Sequence, residues 1–440
     1  MIAPRPRLLL AVGGIALPLA ALLPALPERS GEAVLLALAA IVAADALLGP
    51  RRLAGIEVLL PSTARFLRDR EGEIAIRVRH LNPTSRLVAV GLSLPPALAS
   101  RSDPLRVRLP AGPSEAVFAW PLRPRSRGRF RITALHLEAS SPLGFWGARR
   151  AVEVATEVRV YPNLLAEGRG AAALFLRRSR VGLHALRRIG KGREFESLRD
   201  YQPGDGFEDV HWKGTAKRGR PVTKVFQVER TQEVYAIVDA SRLAARLQGD
   251  PPSAAIERFV SAALLLARAT ERQGDLFGLV AAADSVSMFL RAGRGRAHFD
   301  ACREALCALE ARPATPDFDE TATFLLSRLR RRALLLFLTD LDDPVLAEGF
   351  LRCAGVLARR HLVVACLLRP HGARPLFTGP DPADPDDVYR RLAGHLVWSD
   401  LQELTRGAQR KGAAVSLFEG SSLPTDVVGR YLEVKRRQAL

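Results

Sequence analysis

Residues 333–343 read ALLLFLTDLDD, and residues 234–241 read VYAIVDAS. Each is a continuous apolar run that ends in a carboxylate, Asp340 in the first and Asp239 in the second. Runs that are apolar throughout are typical of strands buried on both faces of a parallel sheet. These runs decide the fold of the C-terminal half, because such a sheet has to be covered by helices on both sides.

Helical segments alternate with apolar runs from residue 233 to the C-terminus. The predicted helices are SAAIERFVSAALLLARATERQG, AHFDACREALCALE, segments near 344–359 and 399–410, and PTDVVGRYLEVKRR. This alternation predicts a doubly wound α/β domain over residues 233–440, with ligands beyond the carboxyl ends of its strands.

Short segments of alternating polar and apolar residues lie between Ile56 and Tyr161, for example EIAIRVRHL and GRFRITALHLEAS. Alternation with a period of two, bounded by turns rich in proline and glycine, is typical of strands. The pattern predicts a β-sandwich over residues 53–162. No catalytic constellation is visible in it.

Two apolar runs, Leu8–Leu26 and Ala33–Leu48, stand near the N-terminus, separated by PERSGE. They predict a transmembrane helical hairpin over residues 1–52, with a cleavable signal peptide as the alternative for the first run. Arginines flank both outer ends, so both ends are expected in the cytoplasm and the protein in the inner membrane. Asp45 lies near the cytoplasmic end of the second run, and we expect it to reach water.

The chain has 65 Lys and Arg against 46 Asp and Glu, a net charge of +19. Arginine supplies most of the excess and is spread along the chain, which a coding bias explains as well as a polyanionic partner does. Only 6% of residues are aromatic and no nucleic-acid-binding module is recognised, so no nucleic-acid partner is expected. The cysteines have no metal-binding spacing and are predicted to be buried free thiols: Cys302, Cys307, Cys353 and Cys366.

Catalytic motifs are missing from the sequence. RRIGKGREF lacks the early glycine and the Ser or Thr of a phosphate-binding loop, and there is no Gly-x-Ser-x-Gly or His-Glu-x-x-His run. The sequence therefore favours a binding protein over an enzyme, and it identifies no small-molecule substrate. The alternative is a metal-dependent enzyme in which Asp239 and Asp340 hold Mg²⁺ and His211 or Asp205 acts as acid or base.

Asp239 and Asp340 are expected at the same edge of the sheet, because both follow parallel strands. Carboxylates and hydroxyls are the ligands that Mg²⁺ prefers, and Ser241 offers a hydroxyl in the first of these loops. A threonine before the second strand could add another: Thr315, Thr321 or Thr323.

The Asp-x-Ser run and the later Asp resemble the metal-ion-dependent adhesion site of von Willebrand factor A domains. The resemblance implies that Asp239, Ser241 and Asp340 belong to a metal site, with Thr321 as the candidate threonine ligand. Leu243 stands where that family has a second serine. Two interpretations stay open: a weakened Mg²⁺ site, or a metal-free relic in which Asp239 and Ser241 cap the next helix.

Residues 192–229 read GREFESLRDYQPGDGFEDVHWKGTAKRGRPVTKVFQVE. This stretch is similar to the signature of the domain-of-unknown-function 58 family, and SPLGFW at 141–146, RGRAHF at 294–299 and YLEVKRR near the C-terminus agree with it. Gly206 and Glu208 depart from the family pattern. The matching signature positions are Gly192, Glu194, Phe195, Leu198, Arg199, Tyr201, Pro203, Gly204, Asp205, Trp212, Ala216 and Lys217.

The resemblance implies a membrane-anchored, cytoplasm-facing partner of a MoxR-type AAA+ ATPase, in a system that matures or assembles other proteins. Residues 163–232 are then a linker, basic and helix-compatible over 163–191, followed by the signature. We expect a tight turn at Pro203–Gly206, and in RPVTKVFQVE a strand that joins or edges the α/β sheet. Charge pairs are expected among Glu194, Arg199, Asp205 and Lys217, around buried rings of Phe195, Tyr201 and Trp212. The signature is predicted to be an interdomain brace or a partner-docking element.

Overall fold

The computed structural model of the 440-residue chain forms two compact units, Met1–Asn163 and Leu164–Leu440. The described residues are 1–18, 28–80, 85–100, 104–164, 189–202, 206–207, 210–227, 232–248, 253–370, 372–378, 384–420 and 422–437. The basic segment predicted at 163–191 lies largely outside them.

The N-terminal segment begins with a short strand and continues into helices: β1 (Ile2–Pro4), α1 (Pro6–Ala11), a π-helical turn (Val12–Ala16) and α2 (Glu28–Leu48). Residues 19–27, which hold much of the first predicted membrane run, lie outside the described part. Within the described part, no helix combines the length and the apolar character needed to cross a membrane. The transmembrane hairpin therefore stays a prediction.

The rest of the first unit is a β-sandwich. Its strands are β2 (Ile56–Leu59), β3 (Thr63–Leu67), β4 (Gly72–His80), β5 (Arg86–Leu92), β6 (Leu98–Ala99), β7 (Leu105–Leu109), β8 (Ser114–Pro124), β9 (Gly128–Ser140) and β10 (Trp146–Tyr161). One sheet has the order β1-β10-β9-β5-β7, with β3 also paired to β10, and the other has the order β2-β4-β8-β6. Trp120, fully buried on β8, packs in one core with Ile132 and Val158 of the opposite sheet. The alternating pattern produces this core because one face of each strand is apolar.

Asp45, near the end of α2, contacts the β-sandwich and does not reach water. It is 2% exposed and accepts hydrogen bonds from the Ser141 hydroxyl at 2.5 Å and from the backbone N–H of Leu143 at 2.9 Å and of Phe145 at 3.3 Å. Trp146 Nε1 donates to the Val42 carbonyl at 3.0 Å. The expectation that Asp45 extends into solvent is wrong, because the SPLGFW loop supplies the hydrogen bonds that water would otherwise supply.

The signature segment forms a small sheet of its own. Strand β11 (Ile189–Asp200) pairs antiparallel with β12 (Val222–Gln227), and α3 (Trp212–Arg218) lies between them in sequence. The strand predicted in RPVTKVFQVE is present over Val222–Gln227, and within these described residues it pairs with β11 and not with the α/β sheet. Alternation predicted a strand here, and alternation alone does not select the partner strand.

The second unit contains a six-stranded sheet with the order β17-β16-β13-β18-β19-β20. Its strands are β13 (Glu233–Asp239), β16 (Leu276–Ala282), β17 (Val286–Gly293), β18 (Ala333–Thr339), β19 (Leu362–Leu368) and β20 (Ala414–Phe418), and a minor ribbon pairs β14 (Leu247–Gln248) with β15 (Ser253–Ala254). All pairs in the large sheet are parallel except β16 with β17. The antiparallel edge strand β17 was not predicted.

Helices cover both faces of this sheet, as predicted. They are α4 (Ala255–Arg272), α5 (Arg296–Cys307), α6 (Phe318–Arg328), α7 (Pro344–Leu357), α8 (Pro385–Arg410) and α9 (Leu423–Arg436). Alternate residues of β18 belong to different cores: Leu336 packs on the side of α4, α5 and α9, and Phe337 on the side of α6, α7 and α8. Every residue of β18 is buried, which explains why its sequence does not alternate.

Two details of this domain concern the sequence predictions. Helix α8 begins at Pro385, well before the predicted start near residue 399, and Asp384 caps it by accepting from the Asp387 N–H at 2.6 Å. The four cysteines are buried and free, as predicted. Burial raises the pKa of the Cys353 and Cys366 thiols to about 12, so both stay protonated and unreactive at neutral pH.

Candidate functional site

The predicted site lies where the strand order of the α/β sheet reverses. Strands β13 and β18 are parallel neighbours in the centre of the sheet, and the next strands along the chain lie on opposite sides of them. A crevice opens beyond the carboxyl ends of strands at such a switch point. Asp239 ends β13, and Asp340 directly follows Thr339, the last residue of β18, so the structure brings the two predicted carboxylates to one edge.

Asp239 is 5% exposed, and both of its carboxyl oxygens are engaged. Oδ1 accepts from the Ser241 N–H at 2.8 Å, and Oδ2 accepts from the Thr339 hydroxyl at 2.6 Å. Thr339 is a site residue that the sequence analysis missed. A signal was present, because a hydroxyl at the last position of a buried strand needs a partner at the sheet edge.

Ser241 and Leu243 lie in the loop and turn directly after β13. The Ser241 hydroxyl accepts from the Leu243 N–H at 3.3 Å and so caps the 3₁₀ turn Arg242–Ala245. Leu243, at the position of the second serine in the adhesion-site pattern, is fully buried. These contacts agree with the interpretation in which Ser241 acts as a helix cap.

The three candidate threonines differ in position. Thr321 is 2% exposed and lines a small cavity together with Asp239, and its hydroxyl donates to the Asp317 carbonyl at 2.8 Å. Thr323 and Thr315 are exposed. Thr321 is therefore the threonine of the three that lies beside the predicted carboxylate.

Asp340 lies at the same edge, 1% exposed, and the cation near it is a residue that the sequence analysis missed. Arg246 Nη1 contacts both carboxyl oxygens of Asp342, at 2.6 and 2.8 Å. The pKa of Arg246 is raised, and the largest cause is its hydrogen bond to Asp342. The negative charges of Asp342, Asp340 and Asp343 also raise it. Two features of the sequence could have indicated this pair: an arginine seven residues after Asp239, and the acidic run DLDD after β18.

These residues do not fit a divalent metal. The cavity beside Asp239 is lined mainly by apolar side chains, namely Ile237, Ala282, Ala283, Pro316, Phe318 and Phe337. Mg²⁺ requires oxygen ligands and bound waters, and both oxygens of Asp239 already have protein donors. Among the described residues there is no group of three acidic, histidine or cysteine side chains placed to hold a metal ion.

Burial raises the pKa of the Asp239 carboxyl, and the hydrogen bonds from Ser241 and Thr339 oppose this effect. A carboxyl that holds its proton more tightly when folded stabilises the fold at low pH, and this contribution disappears as the pH rises through the folded pKa. The free energy of unfolding of Asp239→Asn should therefore increase relative to that of wild type as the pH rises from about 4 towards neutral, because only the wild type loses stability when Asp239 ionises.

Urea unfolding at a series of pH values measures this difference. The matched control is Asp284→Asn, which changes an exposed carboxylate in the loop after β16. A difference between Asp239→Asn and wild type that stays constant with pH, or follows the control, would contradict the prediction.

The signature residues form an exposed surface. Trp212 is 60% exposed, Phe207 74% and Tyr201 37%, and the Phe207 and Trp212 rings contact each other with centroids 5.5 Å apart. The expectation that the rings of Tyr201 and Trp212 are buried is wrong. The aromatic residues of this stretch suggested a small core. Helix α3 has only seven residues, and none of them is buried.

Basic residues follow Trp212 in the sequence, on α3 and directly after it. The exposed ones are Lys213, Lys217, Arg218 and Arg220. Arg220 pairs with Asp200 at 3.1 Å, and Arg199 donates to the Asp200 carbonyl at 3.3 Å. We call Tyr201, Phe207, Trp212 and these four basic residues the aromatic–basic patch.

Several residues of the signature lie outside the part of the chain that the structure describes. Pro203, Gly204 and Asp205 lie outside the described residues, as does the side chain of Glu194. His211, the acid or base of the enzyme alternative, accepts from the Gly214 N–H at 2.9 Å through Nδ1 and caps α3. Among the described ion pairs, Asp200 pairs with Arg220, and the charge pairs predicted for Glu194 and Asp205 stay predictions.

The strand order, the antiparallel edge strand and the carboxylates at the switch point define an α/β domain of the von Willebrand factor A-like class. Residues 197–374 match the model of the family described as protein of unknown function DUF58. Over this segment, which is less than half of the chain, the protein resembles the DUF58 family. The matched segment contains both the aromatic–basic patch and the Asp239 edge.

The chain also resembles several proteins and solved structures at low sequence identity. Uncharacterized proteins of Mycobacterium tuberculosis and Mycobacterium bovis are 27% identical over 274 residues, covering 57% of this chain and 82% of theirs. An aerotolerance-related membrane protein from Bacteroides fragilis is 13% identical, with a TM-score of 0.30 over 45% of this chain and 99% of that chain. The SpRpn10 VWA domain is 13% identical, with a TM-score of 0.28 over 46% and 95%.

Proposed function

We propose that this protein is a membrane-anchored adaptor, that its folded domains face the cytoplasm, and that it works with a MoxR-type AAA+ ATPase in maturing or assembling other proteins. The membrane part rests on the two apolar runs and their flanking arginines. The ATPase part rests on the DUF58 signature. The adaptor role itself rests on a surface of the folded chain.

The observation that carries the proposal is the aromatic–basic patch. Large exposed aromatic rings cost free energy in water, and clusters of them on a folded protein mark interaction surfaces. Tryptophan, tyrosine and arginine are the residues most enriched among those that contribute most to protein–protein binding. The patch also lies within the segment that matches the family.

The charge of the patch indicates the kind of surface that would bind it. The patch has four exposed basic residues, one of which, Arg220, pairs with Asp200. A complementary partner presents carboxylates around an apolar pocket large enough for the Trp212 ring. Because the rings are exposed before binding, no rearrangement of α3 is needed to reach them.

Trp212→Ala should reduce association with the partner ATPase by at least tenfold, because a central aromatic residue typically contributes about 2 kcal/mol or more to binding. The full chain is co-purified from membranes with a MoxR-type ATPase of the same organism, and the Kd is measured with the purified proteins. Phe377→Ala is the matched control, because Phe377 is 97% exposed and lies outside the patch.

Thermal melting of both variants separates binding from folding. Trp212 is 60% exposed, so its removal should leave the Tm close to that of wild type. Equal affinities of Trp212→Ala and Phe377→Ala for the ATPase would contradict the docking role of the patch. If the wild-type protein shows no association with the ATPase, the partnership itself is wrong.

A further inference from the structure

We propose that the guanidinium of Arg246 supplies, at the carboxyl edge of the α/β sheet, the positive charge that a divalent cation would otherwise supply, so that this edge is stable without metal. Arg246 Nη1 lies 2.6 and 2.8 Å from the two carboxyl oxygens of Asp342. A guanidinium nitrogen at this distance from both oxygens offsets the charge of the carboxylate, as a bound cation would.

The acidic run after β18 explains why a cation is needed there. Asp340, Asp342 and Asp343 occur within four residues, and Asp340 is 1% exposed. Like charges at this spacing repel one another, and a buried carboxylate is costly unless a cation or hydrogen-bond donors lie close by. Asp343 caps α7 by accepting from the Val345 N–H at 2.9 Å, and Arg246 pairs with Asp342 and lies in the field of Asp340 and Asp343.

The backbone holds Arg246 in position. Its N–H donates to the Leu243 carbonyl at 3.1 Å, and its carbonyl accepts from the Ala255 N–H at 3.0 Å. The first bond closes the turn that Ser241 caps, and the second connects to the start of α4. The backbone from which the guanidinium extends is therefore held by two hydrogen bonds.

Leu243 and Arg246 together account for a metal-free edge. Leu243 is fully buried where a hydroxyl ligand would be required, and its side chain cannot coordinate a cation. Arg246, three residues later, brings a permanent charge that neither a chelator nor a change of pH near neutral can remove. This edge is separate from the aromatic–basic patch, and the adaptor proposal does not depend on it.

Thermal unfolding of the full chain with MgCl₂ at millimolar concentration, with EDTA, and with KCl at matched ionic strength tests the proposal. The Tm of the wild type should be the same in all three solutions. Arg246→Ala should melt about 2–4 °C lower, as expected for a loss of about 1 kcal/mol in a domain of this size, and MgCl₂ should restore part of that loss where KCl does not.

Arg359→Ala is the control, because Arg359 is an exposed arginine at the end of α7, away from the acidic run. A wild-type Tm that rises in MgCl₂ above its value in KCl would overturn the proposal, since the edge would then bind metal with Arg246 in place. Arg246→Ala melting like Arg359→Ala would also overturn it. So would an Arg246→Ala variant that MgCl₂ stabilises no more than KCl does.

Discussion

Asp275→Ala should lower the free energy of unfolding of the α/β domain by about 3–5 kcal/mol, the usual cost of removing one partner from a buried charged cluster. Asp275 is 2% exposed, at the turn that precedes β16. It accepts from the Tyr431 hydroxyl, from Lys435 Nζ at 2.7 Å and from the Gln232 N–H at 3.2 Å. The variant leaves the fully buried Tyr431 hydroxyl without this acceptor.

The cluster joins the last helix to the amino-terminal edge of the sheet. Tyr431 and Lys435 both lie on α9, in the YLEVKRR stretch, whereas Gln232 directly precedes β13. Burial and the neighbouring Asp275 raise the pKa of the Tyr431 hydroxyl, so it remains a hydrogen-bond donor at all physiological pH values. The YLEVKRR stretch is thus a structural contact of the fold.

Urea unfolding of the full chain, followed by far-ultraviolet circular dichroism, measures the loss. Glu433→Ala is the matched control on the same helix, because it removes only the exposed pair with Arg430, which is worth about 0.5 kcal/mol or less. If Asp275→Ala and Glu433→Ala unfold at similar urea concentrations, the cluster does not contribute as proposed.

Asp45→Ala should destabilise the contact between α2 and the β-sandwich by about 2–5 kcal/mol, because each buried donor left without an acceptor costs about 1–3 kcal/mol. Three donors converge on this carboxylate: the Ser141 hydroxyl and the N–H groups of Leu143 and Phe145. Asp45→Asn should lose less stability than Asp45→Ala, because asparagine keeps one oxygen that accepts hydrogen bonds. It should still lose some stability, because its NH₂ group cannot accept from the remaining donor.

Hydrogen exchange of the full chain in detergent reports on this contact directly. The amides of Leu143 and Phe145 should exchange at least tenfold faster in Asp45→Ala, because a loss of about 1.4 kcal/mol in local stability already gives that factor. Glu115→Ala, which breaks the exposed pair with Arg79 on the other sheet, is the control. Unchanged exchange in Asp45→Ala would mean that the loop is held by other contacts.

Three stretches of the sequence therefore have distinct structural roles. SPLGFW binds the end of α2 through Asp45, and YLEVKRR binds the start of β13 through Asp275. The 192–229 stretch carries the exposed rings of Phe207 and Trp212. Two of the three stretches hold parts of the chain together, and the third leaves apolar surface open, which is why the third is the candidate for partner binding.

The α/β fold was predictable because its pattern is local. A strand buried on both faces, such as ALLLFLT, is a continuous apolar run. An amphipathic helix has apolar residues at regular spacing, so both elements can be recognised within a short window of sequence. The antiparallel strand β17 was not predictable in the same way, because it lies at the edge and is only partly buried. Its residues therefore lack the continuous apolar character that identified the other strands.

The candidate site was predictable only in part. Asp239 and Asp340 were found because strand ends are visible in the sequence and parallel strands end at one edge. Thr339 and Arg246 were missed because their roles depend on which atoms meet across 96 to 100 residues of chain. Thr321 was named as one of three candidates, and its position beside Asp239 required the packing of α6.

The amino-acid sequence by itself determined the succession of an apolar N-terminal segment, a β-sandwich and a doubly wound α/β domain, because periodicity and burial act over a few residues at a time. The tertiary structure alone decided which polar groups are paired. It placed Asp45 under the SPLGFW loop, Arg246 against Asp342, and Trp212 on the surface. Pairing and exposure depend on distances between segments far apart in the chain, and no local pattern encodes those distances.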